Sequence, residues 1–326
     1  MTQSPRHIVI SDEEHALPYS KGLMASSIMA TGLPPARAFQ VAERVEERLH
    51  QRGEASITRA ELSDLASEVL VELVGQRYAD SFAKWQVVNR IDQPLIILIG
   101  GATGVGKSTV ATQLAGRLGI TRIIPTDAIR EVMRAMFSEE LMPTLHTSSF
   151  DADHLVRRPL PRDADPVILG YREQAAAVAV GAQALVRRAV AENTDLILEG
   201  AHLVPGFLDP AEFTGAFVVQ FIITVDDIDA HRSHFLARAH DNRSRPSERY
   251  LEFFDNIRKI QRYVKSLALE RSVPIVPSYS LDATLAQVIE LVVSRAMQAV
   301  PSADGSTNQP GSRQPLEEAS ARRTHD

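Results

Sequence analysis

The run Gly101-Ala102-Thr103-Gly104-Val105-Gly106-Lys107-Ser108 satisfies every fixed position of a phosphate-binding loop. In such a loop the glycines let backbone amides converge on phosphate oxygens, the lysine reaches the β and γ phosphates, and the serine hydroxyl can hold magnesium. Residues Gly101 to Ser108, with Thr109 directly after them, are therefore the expected ATP contacts, and Lys107 is the expected catalytic cation. An acidic partner is needed beside the metal. Glu199 stands at the end of Asp195-Leu196-Ile197-Leu198-Glu199-Gly200, the carboxyl end of a buried strand, where open α/β sheets bind their ligands. Ser108 and Glu199 are the expected magnesium partners.

Three further groups have the chemistry of an acceptor site. Asp127 follows a second apolar run and starts a helix, so it is expected near the γ-phosphate, orienting or deprotonating an attacking hydroxyl. The same position suits a helix cap, either Thr126 or Asp127, with Asp127 and Arg130 as a surface pair. Arg130 and Arg134 stand four apart on one helix face, a like-charge pair that an anionic substrate would relieve. His202 is read either as a substrate contact or as an ordinary hydrogen-bonded loop histidine. Finally Arg232, Arg238, Arg243 and Arg245 gather around a helix break marked by Asp241-Asn242 and Pro246. Mobile arginine-bearing lids neutralise a transferring phosphoryl group and exclude water, and Arg238 and Arg243 are the catalytic candidates.

These side chains need elements to position them. Nearly continuous apolar runs occur at Leu95–Ile99, Ile120–Ile124, Leu196–Leu198, Phe217–Val225 and Val273–Val276, separated by helical stretches. Strands buried on both faces of a parallel sheet look like this, so the expected fold class is α/β, a parallel sheet flanked by helices. The helix after the loop carries Val110, Leu114 and Leu118, and its N-terminus adds a dipole to the anion site. Residues 1–90 hold short helical patterns after a strand-like His7-Ile8-Val9-Ile10. A helix opens at Pro34-Pro35 with Ala38, Val41, Ala42, Val45 and Leu49 inward, and another at Thr58-Arg59-Ala60-Glu61, a capping box. The chain is thus expected to divide into a small, mainly helical domain (1–90), a phosphate-loop domain (91–298) and a disordered tail (299–326), the last rich in Ser, Gly, Pro, Gln and Arg.

Composition narrows the chemistry. The chain has 326 residues, 44% hydrophobic, enough for a sizeable core. Cysteine is absent, which removes disulfides, thiolate metal sites and thiol nucleophiles. The formal charge of −6 gives no basic field for a polyanion, so no nucleic-acid partner is expected and anions must be met by local arginines. No signal-peptide or membrane-length apolar run occurs, so a cytoplasmic protein without a membrane partner is expected.

Several stretches together resemble the 2-phosphoglycerate kinase family of P-loop small-molecule kinases: the phosphate loop with its strand and helix, Arg122 to Arg134, Ser148-Ser149-Phe150, and Leu198 to Gly206. The front, with Pro18-Tyr19-Ser20-Lys21-Gly22-Leu23 and Ala36 to Leu49, resembles the ATP-cone domain found at the start of that family. The resemblance covers about residues 7–298. It implies magnesium-dependent phosphorylation by ATP of the 3-hydroxyl of 2-phosphoglycerate, giving 2,3-bisphosphoglycerate. Where ATP-cones commonly begin with basic residues this chain has Ser11-Asp12-Glu13-Glu14, which points to a structural or regulatory front domain. Two other functions fit the residues: a kinase of another small phosphorylated acceptor, such as a sugar or inositol phosphate, and a non-catalytic ATP-binding regulatory protein. The second needs no additional anion pocket, which the arginines supply.

Overall fold

The computed structural model describes residues 8–11, 16–53, 55–88, 93–156, 160, 162–241 and 247–299. The expected disordered tail lies almost wholly outside them. The elements run β1 (Val9–Ser11), β2 (Ala16–Pro18), α1 (Lys21–Met29), α2 (Pro35–Arg52), β3 (Ser56–Thr58), α3 (Arg59–Val74) and α4 (Gln76–Val88) in the front segment. They continue with β4 (Leu95–Gly100), α5 (Lys107–Leu118), β5 (Ile123–Pro125), α6 (Thr126–Met136), α7 (Pro166–Ala191), β6 (Leu196–Glu199) and β7 (Phe217–Thr224). The last are α8 (Ile228–Asp241), α9 (Ser247–Glu252), α10 (Phe254–Glu270), β8 (Ile275–Pro277) and α11 (Leu281–Ala299).

A five-stranded sheet of order β5-β6-β4-β7-β8, parallel throughout, forms the centre. Alternation along β4 splits the core in two. Leu95, Ile97 and Ile99 face one layer, shared with α5, α10 and α11, while Ile96 and Leu98 face the other, shared with α6 and α7. All six residues of β4 are buried, as the continuous apolar run requires. From β4 the chain crosses to β5 on one side, returns to β6, then passes to β7 on the other side, so the carboxyl ends of β4 and β6 flank a topological switch point.

Two strands differ from expectation, each for a local reason. The run at Ile120–Ile124 supplies only β5, because Gly119, at φ 72°, closes α5 in a left-handed cap. The Ile120 amide then bonds back to the Ala115 carbonyl at 2.9 Å, which makes Ile120 a buried cap contact instead of a strand residue. In the last run the strand starts only at Ile275, because Ser272 sits at φ 54° and Pro274 follows it.

The front segment is mainly helical, with a small sheet of order β2-β1-β3 that the sequence pattern foresaw only at its first strand. The expected α2 and the Thr58/Glu61 capping box are both present. Helices α1 to α3 enclose their own core around Ile28, Val45, Leu65 and Val69. This segment also packs on the sheet region. Trp85 and Val88 of α4, with Ala30, join the apolar cluster that contains β4 and α5, and buried Arg117 of α5 donates to the Gly32 carbonyl at 3.3 Å. No helix among the described residues is long and apolar enough to cross a membrane.

Candidate active site

The phosphate loop leaves β4 at Gly100 and turns into α5 through three glycines in the left-handed region, Gly101 (φ 135°), Gly104 (φ 86°) and Gly106 (φ 92°). At Gly104 the backbone conformation and the space agree: a Cβ would stand 2.2 Å from the Phe235 ring. Lys107 is buried and donates to the Ala102 carbonyl at 2.7 Å, which draws its side chain back over its own loop. The loop is also held from α8. His231 Nε2 donates to the Thr103 carbonyl at 2.9 Å, and His234 Nδ1 donates to the Gly104 carbonyl at 2.9 Å. His231 Nδ1 in turn accepts from Arg258, whose guanidinium also donates to the Val225 and Asp226 carbonyls. Burial pushes His231 down to about 4, with the Thr103 carbonyl opposing and Arg258 assisting, so its ring is neutral near pH 7.

Beside the loop, Glu199 ends β6 with its carboxylate buried, and Ser108 donates to Glu199 Oε1 at 2.8 Å. This is the expected meeting of the two residues. Gly200 follows at φ 157°, and Thr126 Oγ1 occupies the place of its missing side chain, a Cβ there standing only 1.7 Å away. Thr126 does not cap α6, since the N-cap position falls to Pro125. Its hydroxyl donates to His202 Nδ1 at 2.8 Å, while His202 Nε2 donates to Gln174 Oε1 at 3.0 Å. The ring polarity follows from Gln174, whose amide nitrogen is spent on the carbonyls of Thr144 and Thr147. Burial pushes His202 down to about 4, with Asp127 opposing and Arg130 and Lys107 assisting.

A cleft of about 840 Å³ opens over the loop and is bordered by Lys107, Ser108, Asp127, Arg130, Glu199 and Arg249. Asp127 is 66% exposed and lies 3.5 Å from Arg130 Nε. Arg130 is mostly buried, because its guanidinium donates to the carbonyls of Leu145 and Thr147. The far wall is Ser148-Ser149-Phe150, clamped by Asn256 on the Phe150 carbonyl and by an Arg249–Asp151 ion pair of 2.8 Å.

Most of the residues singled out by sequence come together here; His202, Arg134 and Arg232 do not, and three more arginines cannot be placed among the described side chains. His202 is fully enclosed, absent from the cleft wall, with both nitrogens engaged, so it supports the site from behind and the substrate-contact reading is corrected. Arg134 also leaves the cleft: it pairs with Glu131 at 2.9 Å, so Arg130 and Arg134 do not converge on a shared anion. Arg243 and Arg245 lie outside the described residues. Arg238 is within α8, but its side chain is also outside the description. Arg232 stacks over the Phe254 ring at 4.9 Å. Arg249, His231 and His234 were not foreseen. Their residue types are visible in the sequence, but their neighbours are 98 to 130 residues away.

No family model matches the chain. Curated relatives do. The 2-phosphoglycerate kinase of Methanopyrus kandleri is 36% identical over 294 residues, 90% of this chain and 89% of its own. That of Thermococcus kodakarensis is 37% identical over 284 residues, 86% of this chain and 96% of its own. Among solved structures a gluconokinase from Sinorhizobium meliloti aligns at 17% identity over 63% of this chain and 93% of its own, with a TM-score of 0.34.

Proposed function

The chain belongs to the 2-phosphoglycerate kinase family, and from that premise we infer that it transfers the γ-phosphoryl group of ATP to the hydroxyl of 2-phosphoglycerate, giving 2,3-bisphosphoglycerate and ADP. The observation that carries the reading at residue level is the contact of Ser108 with Glu199 beside Lys107, on the same cleft as Asp127 and Arg130.

The loop amides and Lys107 hold the β and γ phosphates. Asp127 accepts the proton of the acceptor hydroxyl as its oxygen bonds to phosphorus and the bond from phosphorus to the ADP oxygen breaks. Arg130 and Arg249 meet the carboxylate and phosphate of the acceptor, Arg249 by exchanging its Asp151 partner. The hard oxygen donors of Ser108 and Glu199, 2.8 Å apart, suit magnesium, Glu199 through an ordered water. When bound, magnesium would neutralise charge on the β and γ oxygens. Arg238 and Arg243 are the candidates for neutralising charge on the transferring phosphoryl group. The division of the chain near residue 90 is part of the same reading and is supported by two separate sheets and a front core of its own; the front domain then has a structural or regulatory task.

The deciding experiment is ADP release followed with 2-phosphoglycerate, with 3-phosphoglycerate, with sugar and inositol phosphates, and without an acceptor. Stimulation by 2-phosphoglycerate alone is expected. Equal stimulation by a sugar phosphate would reassign the acceptor, and acceptor-independent turnover would favour a regulatory nucleotide-binding protein.

A further inference from the structure

A second cleft, of about 530 Å³, lies at the end of the sheet away from the phosphate loop, where β7 runs past the start of β8 and is left uncovered. Its floor is Val218 and Gln220 of β7, and its rim carries Arg271, just after α10, and Arg295 of α11. The register places Gln220 beside Leu98 in the middle of β4, well before the loop begins at Gly101. None of its walls is shared with the cleft over the phosphate loop.

Two features set this cleft apart. First, among the described residues neither the Arg271 nor the Arg295 guanidinium has an ion-pair or hydrogen-bond partner, in a chain whose formal charge is −6. The acids on the same rim are engaged elsewhere: Glu212 accepts from Gln183 and faces Arg187, and Asp209 caps the Ala211 amide. Second, Gln220 is 92% buried (8% exposed), and its amide nitrogen is buried with no hydrogen-bond partner. Buried polar groups are paired as a rule, so this enclosed donor marks a missing acceptor, which it reaches from the cleft floor by a half-turn of its side-chain amide. The backbone makes room for the cation above it. Gly206, at φ 88°, lets the Arg271 guanidinium lie where a Cβ would stand, 2.3 Å from Cζ.

We propose that this cleft is a second ligand site, taking a small organic anion whose phosphate or carboxylate oxygens bridge Arg271 and Arg295 and accept from the Gln220 amide. Guanidinium forks match oxyanion geometry, and the apolar part of the floor accommodates a short carbon body. The separation from the phosphate loop makes it an effector site and not a subsite of the reaction.

Calorimetric titration of the full chain, with ADP saturating the phosphate loop, tests this with inorganic phosphate and with citrate as probes, which separates the two oxyanion types. One equivalent of at least one probe is expected to bind. Arg271→Gln with Arg295→Gln should weaken that binding by roughly tenfold or more, with kcat at saturating substrates unchanged. Gln220→Met should weaken it by a few-fold while the melting temperature holds or rises, because an orphan donor leaves a buried position. No binding of either probe tighter than about 10 mM, or binding equal in wild type and the double arginine variant, overturns the proposal. A lower melting temperature with unchanged binding in Gln220→Met removes Gln220 from the site and makes it a packing residue.

Discussion

The two halves of the catalytic cleft are held by different kinds of contact. On the nucleotide side the interactions run through backbone: Lys107 on the Ala102 carbonyl, His231 and His234 on the carbonyls of Thr103 and Gly104, and Phe235 filling the space beside Gly104. On the proposed acceptor side the charged groups are side chains from separate segments, Asp127 and Arg130 of α6 and Arg249 of α9, lining the same cleft. A backbone cradle recognises any nucleoside triphosphate and leaves little to vary. A side-chain wall is where acceptor specificity resides. Nucleotide-side substitutions should therefore lower turnover for every acceptor, and acceptor-side substitutions should change the choice of acceptor.

The largest expected effect tests the first half of that contrast. Lys107→Ala should reduce kcat by about 10² to 10³-fold with any acceptor, the scale for losing a charge aimed at the transferring group. Circular dichroism should be unchanged. Near-normal turnover would end the assignment of the loop. Asp127→Asn comes next: a loss of about 10²-fold in kcat is expected for a missing general base, with little change in melting temperature. The structure makes this cleaner than the sequence did, because Asp127 is 66% exposed and Pro125 holds the cap position, so no capping bond is lost. An unchanged kcat would leave Asp127 as a surface partner of Arg130.

A smaller effect separates two arginines that look equivalent in sequence. Arg130→Gln should raise the KM for 2-phosphoglycerate about tenfold and leave that for ATP unchanged, the loss of one charge-assisted contact. Arg134→Gln should change either KM by less than about twofold, since an exposed ion pair to Glu131 contributes only a few tenths of a kcal/mol. Equal effects from the two would mean that they share the acceptor after all.

The same contrast explains what was legible in the sequence. Gly101 to Ser108 is contiguous, and its chemistry depends on local backbone geometry, so eight residues identify it. Glu199 could be found because a strand end has a fixed place in a parallel sheet. The acceptor wall is not contiguous. Spacing of four placed Arg130 and Arg134 on one helix face, yet the carbonyls of Leu145 and Thr147 draw one inward and Glu131 draws the other out. His202 lies two residues beyond Gly200, next to the cleft in sequence. Its ring is engaged by Gln174, 28 residues earlier in the chain, whose position no local pattern reveals.

The smallest effect is one that the two halves share. Each is braced by a buried neutral histidine, His231 behind the phosphate loop and His202 behind the acceptor wall, and burial holds both near 4. Their ordinary value is about 6.5. As pH falls below that value the unfolded chain takes up protons that the folded chain refuses, so the stability conferred by a neutral ring is complete above about pH 6.5 and is lost as pH falls toward 4. Each histidine contributes a slope of up to about 1.4 kcal/mol per pH unit in that window. The upper part, from about pH 6.5 to 5, lies above the ordinary carboxylate range, so carboxylate titration interferes little there. Urea unfolding should accordingly show stability falling between about pH 7 and pH 5. His231→Gln should remove about half of the slope if the two rings contribute equally. Stability that is flat across that interval would mean that the rings take up protons in the native state as readily as in the unfolded chain. The Thr126 hydroxyl would then accept from a charged His202 ring, the Arg258 donation to His231 would be lost, and neither half of the cleft would be braced as described.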